Sequence, residues 1–222
     1  MAQFTYEDLG LKEYKACWDY QESILEEVQA DKKAKNGAST INRFLLVEHP
    51  HVYTLGKSGD EHNLLVHGEF LKKIEATFIK INRGGDITYH GPGQLVGYPI
   101  IDLENYHIGV REYIEKMEDA IIATIAHYGL VGGRKEGATG VWLDSEIPAK
   151  ARKICAIGVR VSRYVTMHGF ALNVNTDMRY FSYINPCGFL TYGVTSLERE
   201  LGRKMDMNEV KEIIKEKFDA IY

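Results

Sequence analysis

Three cysteines could supply nucleophilic chemistry in this sequence: Cys17, Cys155 and Cys187. No two of them show the C-x-x-C spacing of redox or zinc motifs, so we expect neither a zinc cluster nor a disulfide framework. Each cysteine is therefore considered as a free thiol. The reactive form of a thiol is its thiolate, and a neighbouring cation increases the thiolate fraction at neutral pH. The surroundings of each cysteine then decide between nucleophilic chemistry and core packing.

Cys187 has the surroundings of an accessible thiol. In the segment NPCG, Pro186 interrupts regular pairing and Gly188 leaves space beside the sulfur. A small buried hydrophobe in a turn remains the alternative for this residue. Cys155 lies in an apolar run and Cys17 lies on the apolar face of a predicted helix, so we expect both to pack in the core.

Lys153 begins the apolar, strand-like segment that contains Cys155, which is an unusual place for a charge. The pKa of a lysine falls readily on burial, so a partly buried lysine can exchange protons near pH ~7. The alternative is a strand-end lysine whose methylene stem carries its charge to water. Strand alternation places Lys153 and Cys155 on the same face.

A glycine-rich stretch, RGGDITYHGPGQLVGYPI at 83–100, is the most unusual segment of the chain. Glycine lets backbone N–H groups come close to a ligand, so such a loop can line a pocket with donors. The stretch matches neither the P-loop nor the dinucleotide-binding fingerprint. A set of tight turns without any ligand remains the alternative.

The elements that must position these residues follow from hydrophobic periodicity. Helical spacing of apolar residues predicts three helices, at about 14–28, 110–128 and 208–222. Runs rich in β-branched and aromatic residues predict strands at 43–48, 52–55, 77–82, 94–100, 140–143, 154–161 and 164–173. Clustered strands with few intervening helices predict an α+β fold, in which helices pack on a mixed, mostly antiparallel sheet. The length predicts a single domain over residues 1–222.

Charge and hydropathy exclude several classes of protein. The net charge of −4 comes from interspersed signs and leaves no basic stripe, so we expect no nucleic-acid or membrane partner. No apolar run approaches the ~18 residues of a spanning helix, and the first twenty residues lack the order of a signal peptide. We therefore predict a cytoplasmic protein.

The histidines predict no metal site. His49 and His51 would share a strand face, but no third ligand is evident beside them. His90 and His168 are better placed as hydrogen-bond donors in a pocket, with a structural histidine as the alternative for each.

Taken together, these motifs resemble the octanoyltransferase family, the lipoyl(octanoyl) transferases, also described as the lipoate-protein ligase B family. That family's pattern RGG-x-x-T-Y-H-G-P-G-Q-L, followed by Y-P-I, is present at every fixed position within 83–100. The resemblance continues in KICAIGVRVSRYVTMHGFALNVN at 153–175 and in FSYINPCGF at 181–189. It covers the chain from about His49 to Glu198, and it implies a biotin/lipoate protein ligase-like fold.

The resemblance implies an acyltransferase that needs no cofactor and carries out the first step of endogenous protein lipoylation. Its donor is octanoyl-acyl carrier protein, and its acceptors are lysines in lipoyl domains of 2-oxoacid dehydrogenase E2 subunits and of the glycine-cleavage H protein. It implies a catalytic dyad of Cys187 and Lys153, with Cys187 carrying a thioester acyl-enzyme intermediate. The substrate-binding residues that it implies are Arg83, Gly84, Gly85, Asp86, Ile87, Thr88, Tyr89, His90, Ala156, Ile157, Gly158, Gly169, Phe170 and Ala171.

Two other functions remain open from the sequence. An ATP-dependent lipoate or biotin protein ligase would activate a free acid and would have no use for a cysteine nucleophile. A non-catalytic module that binds acyl chains or lipoyl domains would tolerate the loss of Cys187 or Lys153, yet both residues are present.

Overall fold

The computed structural model describes residues 4–37, 39, 41–185 and 192–222, and eleven strands form within these residues. The strands are β1 (Thr5–Leu11), β2 (Arg43–Glu48), β3 (Val52–Leu55), β4 (Thr77–Lys80), β5 (Ile87–His90), β6 (Gln94–Ile100), β7 (Gly132–Gly133), β8 (Val141–Leu143), β9 (Arg152–Ser162), β10 (Val165–Asn173) and β11 (Gly193–Val194). Five α-helices form in the same part of the chain. They are α1 (Tyr14–Ala34), α2 (Glu69–Lys73), α3 (Val110–His127), α4 (Leu197–Leu201) and α5 (Met207–Ile221).

The larger sheet has eight strands in the order β1-β2-β6-β10-β9-β8-β7, and β11 pairs with β9 on the edge that β9 shares with β10, beyond the end of β10. The β1–β2 and β11–β9 pairs are parallel, whereas the other pairs of this sheet are antiparallel. A smaller sheet has the order β4-β3-β5, with β3 parallel to β4 and antiparallel to β5. The fold is therefore α+β with a mixed, mostly antiparallel sheet, as the sequence predicts.

Helices cover both faces of the larger sheet because its central strands are apolar on both faces. Leu45 and Val47 of β2 point to the side of α1 and pack with Cys17 and Ile24 of that helix. Alternate residues of the same strand, such as Phe44, pack on the opposite side with α3 and α5. The larger sheet thus forms the middle layer of three, and its strand β9 supports most of the site described below.

The structure confirms most predicted elements and adds four strands, β1, β5, β7 and β11, and two short helices, α2 and α4. The strands at 43–48, 52–55 and 94–100 have the predicted bounds, and α3 and α5 lie within one residue of the predicted helices. Strand β1 was not predicted, because its side chains are polar and half exposed and its order comes from parallel pairing with β2. Residues 87–90 were expected to belong to a glycine-rich loop, but they form β5. Their β-branched and aromatic side chains pair with β3 instead.

None of the helices formed by the described residues combines the length and the apolar character that crossing a bilayer requires. The cytoplasmic location and the single-domain organisation stay predictions.

Candidate active site

A cavity of about 640 Å³ lies along β9 and joins the three segments that the sequence singles out. It is bounded by β9 and β10, by the loop that precedes β5, and by the turn between β7 and β8. Each predicted substrate-binding residue except Tyr89 lies in its wall. These residues are Arg83, Gly84, Gly85, Asp86, Ile87, Thr88, His90, Ala156, Ile157, Gly158, Gly169, Phe170 and Ala171.

Tyr89 faces away from this cavity, as strand alternation between Thr88 and His90 requires. Its side chain is fully buried in the smaller sheet, its hydroxyl lies 2.7 Å from Nδ1 of His51, and its ring stacks on Tyr180. The structure therefore places Tyr89 in packing rather than in the cavity wall.

Bare backbone forms the part of the wall where β9 and β10 meet the glycine-rich loop. Gly158 and Gly169 are directly opposite each other in the antiparallel pair. A Cβ at Gly169 would overlap the carbonyl oxygen of Gly97, and a Cβ at Gly158 would lie 3.0 Å from the carbonyl oxygen of Gly84. Position 169 needs glycine because neighbouring backbone approaches too closely for a side chain, whereas a Cβ at position 158 would require the Gly84 loop to shift slightly.

Arg83 holds the loop that precedes β5 in shape. Its guanidinium donates to the carbonyl oxygens of Thr54 at 3.1 Å, Asp86 at 2.8 Å and Gly84 at 2.9 Å. The backbone N–H of Gly84 also donates to the carbonyl oxygen of Val159 at 3.1 Å, which fixes the loop to the edge of β9. Since Arg83 is 8% exposed and its donors meet backbone oxygens, its main effect is to order this wall.

His90 is a neutral, hydrogen-bonded histidine. Its Nδ1 lies 2.8 Å from Oε1 of Gln94 and its Nε2 lies 3.3 Å from Oγ1 of Thr54. Burial, together with the charges of His49 and Arg83, holds the pKa of His90 well below its ordinary value. Both ring nitrogens already have protein partners, which favours the structural alternative for His90.

His168 differs from His90 because one of its ring nitrogens has no hydrogen-bond partner among the described residues. Its Nε2 lies 2.8 Å from Oδ1 of Asn82, whose Nδ2 in turn donates to Oε1 of Glu22 at 3.0 Å. Oδ1 must accept, so Nε2 carries the proton and the buried Nδ1 is an acceptor. Burial, with the nearby charges of Arg83 and Arg160, lowers the pKa of His168 to about 3. The structure thus corrects the prediction that His168 is a hydrogen-bond donor in the pocket, because its one N–H is used by Asn82.

Lys153 lies in the wall of the same cavity as the second residue of β9. Its Nζ donates to the carbonyl oxygen of Thr139 at 2.9 Å and lies 4.8 Å from the centroid of the Trp142 ring. The predictions for Cys17 and Cys155 are confirmed, because both side chains are fully buried in core clusters. Burial raises the pKa of both thiols, to about 12 for Cys17, so neither is suited to nucleophilic chemistry at neutral pH.

Cys187 lies outside the described residues, as do its neighbours from 186 to 191. The described chain on either side does reach the cavity, since Phe181 and Tyr192 both line it. The predicted pairing of Cys187 with Lys153 therefore stays a prediction.

Several wall residues were not predicted from the sequence. Trp142 was assigned to a strand by its composition, and nothing in the sequence indicates that its ring lies beside Lys153. Val110 and Ile114 were predicted only as part of the helix at 110–128, yet they also line the cavity. These contacts arise from tertiary packing, so no local pattern could have revealed them.

The described residues contain no group of three or more His, Cys, Asp or Glu side chains that could hold a metal ion. His49 is fully buried, with Nδ1 at 2.7 Å from the carbonyl oxygen of Lys12 and Nε2 at 2.8 Å from the hydroxyl of Tyr98. Both of its nitrogens are therefore already in use as structural hydrogen-bonding groups.

The fold and the cavity define a catalytic domain of the lipoyl protein ligase type. The family described as lipoyl protein ligase A/B catalytic domain matches residues 13–219. Two relatives are named octanoyltransferase. The one from Christiangramia forsetii is 56% identical over 221 residues, covering 97% of this chain and 94% of the relative. The one from Bacteroides fragilis is 58% identical over 205 residues, covering 92% of this chain and 91% of the relative. The chain belongs to the octanoyltransferase family and is an acyltransferase.

Solved structures agree on the fold. A bi-partite lipoate protein ligase from Thermoplasma acidophilum superposes with a TM-score of 0.70 at 14% identity, covering 100% of this chain and 84% of that chain. A biotin protein ligase from Aquifex aeolicus, in complex with biotin and ATP, gives a TM-score of 0.53 at 11% identity, covering 99% of this chain and 70% of that chain. At such low identity these similarities show the fold alone, which is the predicted biotin/lipoate protein ligase-like fold.

Proposed function

We propose that this octanoyltransferase moves the octanoyl group from octanoyl-acyl carrier protein to a lysine of a lipoyl domain through a thioester on Cys187. The acceptors are lipoyl domains of 2-oxoacid dehydrogenase E2 subunits and of the glycine-cleavage H protein. The observation that carries the proposal is the position of Lys153: its amine lies in the wall of the same cavity as the three predicted binding segments.

In the first step, the thiolate of Cys187 attacks the carbonyl carbon of the octanoyl thioester. The new carbon–sulfur bond forms and the bond to the phosphopantetheine sulfur breaks, so one thioester replaces another at little cost in bond energy. The ammonium of Lys153 gives its proton to the departing thiolate, and Lys153 is left as a neutral amine.

In the second step, the neutral amine of the acceptor lysine attacks the acyl-enzyme. The carbon–nitrogen bond forms, Cys187 leaves as a thiolate, and the surplus proton of the amine passes to Lys153. The cycle thus restores an ammonium beside a thiolate, and the product is an amide-linked octanoyl group. No nucleotide takes part in either step.

Three features of the described residues support this assignment. The cavity wall contains apolar side chains such as Ile157 and Phe170 that suit an acyl chain. Cys155 and Cys17 are buried, so neither competes with Cys187 as the nucleophile. Phe181 and Tyr192, which flank Cys187 in sequence, both line the cavity.

Intact-mass analysis after incubation with octanoyl-acyl carrier protein, in the absence of ATP, tests the proposal. We expect a single octanoyl adduct that is lost in Cys187→Ser and retained in the control variant Cys155→Ser. Adding an apo lipoyl domain should then discharge the adduct onto the domain. Transfer of free octanoate that requires ATP, without an adduct, would instead support the ligase alternative. Binding of the donor without an adduct would support the non-catalytic module.

A further inference from the structure

We infer that Trp142 is a positioning residue for Lys153, because its indole face and the carbonyl group of Thr139 together hold the amine as an ammonium at the cavity wall. This inference rests on the proposed function of Lys153 as the proton carrier of the reaction.

Strand pairing brings the two side chains together. Trp142 of β8 is directly opposite Lys153 of β9, next to an irregularity in the pairing of the two strands. The Nζ atom lies 4.8 Å from the ring centroid and donates to the carbonyl oxygen of Thr139 at 2.9 Å. An aromatic face attracts an ammonium group and has no comparable attraction for a neutral amine, so this arrangement favours the charged form.

The Trp142 ring is held in place on two sides. Its Nε1 donates to the carbonyl oxygen of Ala138 at 2.8 Å, and its side chain is 3% exposed. The ring of Tyr192 packs against it edge to face, with ring centroids 5.6 Å apart. Because the ring has little freedom to turn, its face stays directed at the amine.

The carbonyl group of Thr139 is fixed by the turn that carries it. The next residue, Gly140, donates its N–H to Oε1 of the buried Glu118 at 2.8 Å, and Oε2 of Glu118 accepts from Nε of Arg134 at 2.8 Å. Gly140 has φ of 121°, and a Cβ there would overlap the carbonyl oxygen of Cys155. This turn therefore brings an oxygen to Lys153 at a position that a bulkier sequence could not occupy.

Other charged and titratable groups also face this region, and they have to be kept constant in any test. The group on α3 is the carboxylate of Glu118, which forms an ion pair with Arg134. On β9 it is the Cys155 thiol, whose pKa reflects burial first and the charges of Lys153 and Glu118 to a smaller degree. Beside the ring is Tyr192, which has Nζ of Lys135 at 4.5 Å from its centroid.

The test is a graded weakening of the aromatic face without a change in its size. The sequence contains two tryptophans, so fluorinated tryptophan can be incorporated in a Trp18→Phe background to label position 142 alone. We expect the rate at which iodoacetamide alkylates Cys187 at pH 7 to fall with each added fluorine, by roughly three- to tenfold over the whole series. The midpoint of the pH dependence of this alkylation rate should rise in parallel. The KM for octanoyl-acyl carrier protein should stay constant while kcat falls in parallel.

The matched control labels Trp18 in a Trp142→Phe background, where further fluorination should leave the alkylation rate unchanged. A Trp142→Leu variant that folds should show the full loss, and Trp142→Phe should retain most of the rate because it keeps an aromatic face. A flat response across the fluorinated series would overturn the inference. If wild-type protein formed no adduct on Cys187, the proposed function itself would fail, which is a different and separately visible result.

Discussion

Two cationic side chains, Arg83 and Lys153, line the same cavity, and they differ in burial and in their hydrogen-bond partners. Arg83 is 8% exposed and gives its hydrogen bonds to backbone carbonyl groups, whereas Lys153 is partly buried and held by one carbonyl group and one aromatic face. The loop that carries Arg83 contacts β9 at Val159, which is six residues along the strand from Lys153, or about 20 Å. A guanidinium whose donors are occupied orders a wall. The proposed role of Lys153 differs, because it requires the ammonium to exchange a proton with the substrate.

The largest expected effect tests the Lys153 side of this comparison. Replacing Lys153 with Met removes the proposed proton carrier, so we expect kcat for octanoyl transfer to fall on the order of 10²- to 10⁴-fold. Folding stability should change little, because the side chain is partly exposed. Lys153→Arg is the matched control: it keeps the charge but cannot give up its proton at neutral pH, so it should also lose transfer. A Met variant with wild-type kcat in steady-state assays would remove Lys153 from the mechanism.

The second prediction tests the Arg83 side. Arg83→Met removes the guanidinium that joins the carbonyl oxygens of Thr54, Asp86 and Gly84, so we expect the free energy of unfolding to fall by about 3 kcal/mol. Arg83→Lys should recover part of this loss, because an ammonium can satisfy some of the same acceptors. Urea denaturation monitored by circular dichroism measures both variants. Unchanged stability with a lost acyl-enzyme would instead indicate that Arg83 contacts the substrate directly.

The third prediction concerns His168, whose folded-state pKa is about 3 against an ordinary value of 6.5. Below pH 6.5 this histidine binds a proton in the unfolded chain but not in the folded chain. The free energy of unfolding therefore decreases as the pH falls from 6.5 toward 3. This residue should account for about 2 kcal/mol of that loss at pH 5. His168→Asn should therefore flatten the dependence of unfolding free energy on pH between 7 and 5.

Asparagine is chosen for this variant because His168 has φ of 59°, which asparagine adopts more readily than most residues. The exposed His67 gives a matched control, and His67→Asn should leave the slope unchanged. Denaturant titrations at several pH values decide the outcome. An unaltered slope in His168→Asn would mean that burial of this ring does not oppose its protonation.

The smallest effect distinguishes the two opposed glycines. In Gly169→Ala the new Cβ overlaps the carbonyl oxygen of Gly97, which is held in a central strand, so we expect a loss of about 2 kcal/mol in stability. In Gly158→Ala the nearest atom is the carbonyl oxygen of Gly84 at 3.0 Å, which lies in a loop that can shift, and the loss should be about 1 kcal/mol. Thermal unfolding of the two variants side by side measures the difference. The reverse order would show that the loop is as rigid as the sheet.

The sequence predicts the fold well where periodicity is strong. The apolar runs at 43–48 and 94–100 and the amphipathic segment that forms α3 are determined by local pattern, because each buries its own face. Strand β1 cannot be predicted from its local pattern, because it is stabilised by pairing with the neighbouring strand β2. The strand at residues 87–90 is also missed from the sequence, because the flanking glycines indicate a loop.

The site is predictable as a set of segments and not as a set of contacts. Motifs indicate that the Arg83 loop and the Lys153 strand belong together, and the cavity brings them together. No motif indicates that Trp142 faces Lys153, or that Asn82 and Glu22 orient the His168 ring. These pairs are distant in sequence or join different strands, so only tertiary packing creates them.

The peptide-lined wall at Gly158 and Gly169 has a consequence for how such enzymes diversify. Where backbone atoms form the wall of a cleft, the sheet itself determines the shape of that wall, so a point mutation changes it little. If the cavity holds the acyl chain as proposed, a preference for a longer or shorter acyl group would have to arise at side chains elsewhere in the wall, such as Val96 and Ile157. Libraries intended to change the acyl group accepted by this enzyme should start from those two positions.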